Sequence, residues 1–119
     1  MDAKRIILFS LLCAPLLSAD EPITLSPDPM IGNEPLQVHA TVKVNPHYLN
    51  YEVCVEWKGE PQEGRGCWSL SGQYDHRTHY YDIKNLPVGE YQVLARLYRV
   101  RSTFSTPAQT VRSIETPFK

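Results

Sequence analysis

Cysteine is scarce, with three in 119 residues. No two of them stand as Cys-x-x-Cys, which excludes the short redox motif of that spacing. No Gly-x-Ser-x-Gly elbow is present, so the chain lacks the local signature of one large class of serine hydrolases. No glycine-rich loop leads into a helix, which removes the usual phosphate cradles. Charge of either sign is not in excess: 12 Lys and Arg stand against 13 Asp and Glu, a formal charge of −1. Such a balance predicts no bulk attraction to nucleic acid or to an anionic membrane. There is no Asn-x-Ser/Thr sequon, no internal repeat and no low-complexity tract. Beyond residue 19 no segment has the apolar length of a membrane span or the period of an amphipathic helix.

The one long apolar run lies at the start. Lys4 and Arg5 precede an apolar stretch over residues 6–17, and Ser18 and Ala19 follow it. A basic head, a short apolar middle and small residues at the end are the parts of a secretory signal peptide. Cleavage after Ala19 is expected, giving a signal peptide over residues 1–19 and one domain over residues 20–119. Loss of Asp2, Lys4 and Arg5 leaves ten basic and twelve acidic residues, a formal charge of −2. The expected localisation is secreted or periplasmic. Two cysteines remain, Cys54 and Cys67. An even count in an exported chain reads as a disulfide, here a structural one.

The clearest pattern runs from Leu86 to Leu97. A turn signal at Pro87 and Gly89 is followed by strict alternation. Tyr91, Val93, Ala95 and Leu97 share one face; Gln92, Leu94, Arg96 and Tyr98 share the other. Period two over this length is a half-buried strand. Residues 36–44 alternate as cleanly, with Leu36, Val38, Ala40, Val42 and Val44 on one side. Further strands are expected near residues 23–26, 50–57, 65–71, 79–83 and 108–114. Residues 32–35 read as a turn, and residues 101–107 as a hydrophilic connection.

Cys54 and Cys67 allow a register to be tested. Antiparallel pairing of the two sets Val53 opposite Trp68, Tyr51 opposite Leu70 and Glu56 opposite Arg65. Apolar pairs then share the core face, while the disulfide and the ion pair share the outer face. A slip of one residue inverts one strand and destroys this agreement.

Seven short strands with turns about every ten residues describe a two-sheet sandwich. With Trp57 closing the third strand and Tyr91 just after the Leu86-Pro87-Val88-Gly89 corner, residues 36–114 resemble a fibronectin type III or immunoglobulin-like domain. The chain is also similar to small secreted bacterial proteins in which such a domain follows a signal peptide. The resemblance implies an all-β, seven-stranded, two-sheet architecture and a tyrosine corner at Tyr91. It departs from antibody-type domains, because Cys54 and Cys67 lie on neighbouring strands.

Residues with chemistry are few. Asp75, His76, His79 and Asp82 concentrate metal-ligand types, but at a loop–strand junction they read as a polar loop entering a strand; His39 and His47 join them only if loops converge. Glu52 and Glu56 share a strand face roughly 13 Å apart, too far for a glycosidase pair. Arg96, Arg99 and Arg101 form a small basic cluster with Tyr98 between them. The surface singled out is the outer face of the central sheet, with Leu94, Arg96 and Tyr98 at its centre. The function expected from this pattern is a secreted or periplasmic, non-catalytic module, not an enzyme and without a cofactor. It is expected to bind another extracytoplasmic protein or act as a structural accessory. Two other readings are a carbohydrate-binding domain using Tyr74, Tyr80 and Tyr98, and a metal-binding protein built on His76 and His79.

Overall fold

The computed structural model describes residues 21–72 and 75–116. The expected signal peptide and Tyr74 lie outside them. The described chain is all strand and turn. Its nine strands are β1 (Ile23–Asp28), β2 (Ile31–Asn33), β3 (Leu36–Val44), β4 (Asn50–Lys58), β5 (Glu63–Ser69), β6 (Thr78–Leu86), β7 (Gly89–Arg99), β8 (Ser102–Ser105) and β9 (Gln109–Ile114). One sheet has the order β1-β3-β6. The other has the order β2-β9-β7-β4-β5, with β8 also pairing β7.

The expectation of two sheets holds, and that of seven strands is corrected to nine. β2 overlaps the stretch read as a turn, and β8 falls in the stretch read as a connection. β2 escapes notice because three residues cannot display a period, and it pairs in parallel with distant β9. β8 returns from β7 through Val100 and Arg101, with Arg101 at φ 70°. A two-residue hairpin turn usually advertises itself by Gly or Asn at such a position, and neither is present.

The core lies between the sheets. β3 contributes every second side chain from Leu36 to Val44, and β7 does the same from Tyr91 to Leu97; all are buried. Ile23, Leu25, Ile83, Leu86, Val53, Val55, Leu70 and Val111 complete it. Period two fails in two places. In β6, Lys84 and Asn85 both face solvent between buried Ile83 and Leu86, the register against β3 shifts there, and Asn85 takes φ 62°. Asn tolerates that left-handed conformation better than most residues. In β4 the register against β7 shifts between Asn50 and Glu52. Asn50 is therefore buried, and Tyr51, expected on the core face, is instead exposed with its ring 6.3 Å from that of Tyr98. The buried amide of Asn50 is satisfied: Nδ2 donates to the Asn45 carbonyl at 3.0 Å, and Oδ1 accepts from Arg99 Nε at 2.7 Å.

β8 and β9 share one edge of β7. β9 pairs Gly89 to Val93, and β8 pairs Arg96 to Arg99. Buried Thr106 serves Ala95 in the gap between them. Its amide donates to the Ala95 carbonyl, and its hydroxyl accepts from the Ala95 amide at 3.0 Å. The backbone of β7 is thus paired through the gap, as burial requires.

The tyrosine corner is present. The Tyr91 ring is fully buried, and its hydroxyl donates to the Pro87 carbonyl at 2.7 Å. Burial pushes this phenol above its ordinary value of 10.0. Above that pH the unfolded chain releases the proton before the folded one does, so the folded state loses stability as pH rises further. Tyr91→Phe is expected to lower stability by about 1 kcal/mol at neutral pH and to flatten the alkaline fall. Urea unfolding at neutral and alkaline pH measures both.

Candidate functional site

The outer face of the larger sheet is built by the alternate residues of three neighbouring strands. β4 presents Glu52, Cys54, Glu56 and Lys58. β7 presents Gln92, Leu94, Arg96 and Tyr98, and β5 presents Glu63, Arg65, Cys67 and Ser69. Register fixes the neighbours: Cys54 stands between Cys67 on β5 and Arg96 on β7, and Glu56 stands between Arg65 and Leu94. The hairpin register expected from the sequence is the one observed, with Val53 opposite Trp68 and Glu56 opposite Arg65.

Cys54 and Cys67 form the expected disulfide, with the sulfurs 2.07 Å apart. Its two halves differ. Cys54 is fully buried on a face expected to be open, and Cys67 is exposed. Two arginines flank Cys54. Arg65 Nη2 donates to Cys54 Sγ at 3.5 Å and to the Tyr98 hydroxyl at 2.9 Å. Arg96 spends Nε on Glu56 Oε2 at 2.9 Å and Nη1 on Ser105 Oγ at 2.9 Å. Glu56 is the shared anion, since Arg65 Nε also lies 3.7 Å from its Oε2. Arg65, Glu56, Arg96 and Ser105 thus form one polar chain across four strands. Beside it lies a depression of about 570 Å³, bordered by Lys58, Leu94, Arg65 and Arg96.

Leu94, Arg96 and Tyr98 are brought to this one face, each half-buried. The basic cluster of Arg96, Arg99 and Arg101 is taken apart. Arg96 joins the outer face, Arg99 is held by Asn50 and lies 4.8 Å from the Phe104 ring centre, and Arg101 is in the β7–β8 turn. The sequence reading places Arg65 only as a partner of Glu56. Its contact with sulfur follows from register, and Ser105 cannot be placed without β8.

Among the described residues, Glu52, Cys54 and Cys67 are brought together as three potential metal ligands, with ligand atoms within 4.8 Å of one another. Both sulfurs are consumed by the disulfide. His76 and His79 do not join a group of three among the described residues. His79 turns instead to Trp68, whose Nε1 donates to His79 Nδ1 at 3.3 Å. That accepting role puts the ring proton of neutral His79 on Nε2. His79 Nε2 and Trp57 Nε1 are buried with no hydrogen-bond partner among the described residues. Both residues belong to an aromatic row with Tyr81 and Trp68 along the open side between β5 and β6. The Trp57–Tyr81 and Trp68–Tyr81 centroids are each 6.0 Å apart. Gly66 leaves room for this row, because a Cβ there would collide with the Tyr81 ring.

The described residues form a nine-stranded, two-sheet β-sandwich. No protein-family model and no curated protein matches the sequence. Among solved structures the chain is similar to a superoxide reductase (neelaredoxin) from Ignicoccus hospitalis. The TM-score is 0.60 at 10% identity, over 95% of this chain and 99% of that one. At that identity the likeness is one of fold. It corrects two expectations. The reading as a non-catalytic module, and the reading as no enzyme, both take a plain sandwich without a sequence-local catalytic set as a sign of no chemistry. A redox enzyme occupies the same architecture, and a site can be assembled across strands where no local motif betrays it.

Proposed function

We propose that the chain is a thiol–disulfide redox protein whose working group is the Cys54–Cys67 pair. The observation that carries this reading is the asymmetry of the pair. An exposed Cys67 is joined to a buried Cys54 whose sulfur accepts from Arg65. An incoming thiolate attacks Cys67 Sγ, the sulfur–sulfur bond breaks, and the electron pair leaves on Cys54 Sγ. Arg65 and Arg96 stabilise the thiolate formed there, which makes Cys54 the better leaving group. A second thiol attacks the mixed disulfide at the external sulfur and releases Cys67. Two external thiols become one disulfide, and their two protons finish on the two protein cysteines. The spacing of the cysteines in sequence does not point to this chemistry; their surroundings do.

The fold likeness to a superoxide reductase supports the reading only in that a redox protein uses the same scaffold. An oxidising compartment outside the cytoplasm, reached through a cleaved signal over residues 1–19, is part of the proposal and suits a resting disulfide. We also read the sandwich as immunoglobulin-like. The β1-β3-β6 and β9-β7-β4-β5 strand orders and the Tyr91 corner support that reading.

Equilibration of folded protein in glutathione buffers, followed by alkylation and mass analysis, tests the function. The pair is expected to titrate between the dithiol and the disulfide while the far-ultraviolet spectrum stays native. Arg65→Gln is expected to slow thiol attack by about 3- to 10-fold through loss of leaving-group stabilisation. Equal rates in the variant and the wild type would remove the role given to Arg65.

A further inference from the structure

Resting on the redox reading, we infer that the preferred partner is an acidic thiol, one carrying a carboxylate within a few bonds of its sulfur. The depression of about 570 Å³ adjoins the disulfide, sharing Arg65 and Arg96 with it. Its border carries three cations, Lys58, Arg65 and Arg96, against two anions, Glu56 and Glu63. Glu56 is engaged by both arginines, and Glu63 and Lys58 are cross-strand partners at the far end. Arg96 Nη2 and Arg65 Nη1 remain without a protein acceptor among the described residues. A guanidinium with free N–H groups is matched by a carboxylate, which can accept two parallel hydrogen bonds.

The opposite approach is closed to an anion. On the other side of Cys54 along β4 stands Glu52, whose carboxylate is within 4.8 Å of both sulfurs. An acidic thiol attacking Cys67 is therefore steered with its carboxylate toward Arg96 and its sulfur toward the disulfide. A cationic thiol is steered toward Glu52 and away from the depression. Leu94, half-buried in the lining, offers an apolar contact for the methylenes between the two groups.

The test compares 3-mercaptopropionate, 2-mercaptoethanol and cysteamine as reductants of the folded protein, with rates expressed per thiolate. At low salt the acidic thiol is expected to exceed the neutral one by about tenfold, an advantage that molar salt should compress; the cationic thiol, drawn to Glu52, should gain nothing from the depression. Arg96→Gln should abolish the advantage. Lys58→Gln, at an exposed position, should reduce it with the fold intact. A flat series on a disulfide that all three thiols reduce overturns the acidic-thiol inference and leaves the redox reading standing. A disulfide that none of them reaches in folded protein overturns both.

Discussion

Tyr91→Ala is expected to lower stability by about 3–5 kcal/mol, the range for removing a large buried aromatic side chain. Domains of this size have total stabilities of about 5–15 kcal/mol, so the variant should unfold at much lower urea concentration. Three losses combine at this position. The ring is fully enclosed between the sheets, its hydroxyl ties the β6–β7 corner through Pro87, and its strand is the one that β4, β8 and β9 all pair with. The contrast with Tyr91→Phe separates them. The phenylalanine variant loses only the hydrogen bond, so the difference between the two midpoints reports the packing of the ring. Urea midpoints for both variants, at unchanged slope, measure this directly.

The second large effect is expected from the double substitution Cys54→Ala, Cys67→Ala. The bridge closes a loop of sequence separation 13, for which the chain-entropy model gives roughly 3 kcal/mol. The variant should therefore be about 2–4 kcal/mol less stable, with its sheets retained, because the core residues of β4 and β7 are untouched. The response to glutathione buffers should vanish altogether. A single Cys67→Ala variant serves as a control. It leaves Cys54 as a buried thiol beside Arg65, and the pH dependence of its thiolate ultraviolet absorbance in the folded state reports how far the arginines favour the thiolate.

Much of the sandwich is legible in the chain. Alternation in residues 36–44 and 91–97 names the core faces of β3 and β7 correctly. One assumed cysteine pairing sets the β4–β5 register down to Glu56 opposite Arg65. Two kinds of feature are not legible. Short strands are one kind: three or four residues carry no period of their own, β2 depends on the distant strand β9, and the β7–β8 turn at Val100 and Arg101 lacks the usual turn residues. Bulges are the other kind: one extra residue at Asn50–Glu52 turns Tyr51 outward, and another at Lys84–Asn85 extends β6 to Leu86.

For the site, alternation along β7 is enough to bring Leu94, Arg96 and Tyr98 to one face. The surroundings of the disulfide are a different matter. Read from the sequence, the pair is an inert clip because its spacing matches no motif, and the charges around it are solvated. Register sets Cys54 between Cys67 and Arg96, with Arg65 reaching its sulfur from the neighbouring pair, and that enclosure follows only once β4, β5 and β7 are aligned. His76 and His79 stand out as neighbours in sequence, yet β6 turns His79 toward Trp68. Sequence proximity is no guide to convergence there.

The central claim is that a thiol attacks Cys67 in the folded protein. Its most direct test is the rate of disulfide reduction by a small thiol across a series of low, non-denaturing urea concentrations, with mass analysis of the trapped mixed disulfide. Attack on the folded state gives a rate proportional to thiol concentration and insensitive to urea, with the external sulfur found on Cys67. A rate that climbs with urea at the slope of global unfolding, or a mixed disulfide on Cys54, would contradict it and return the pair to a purely structural role.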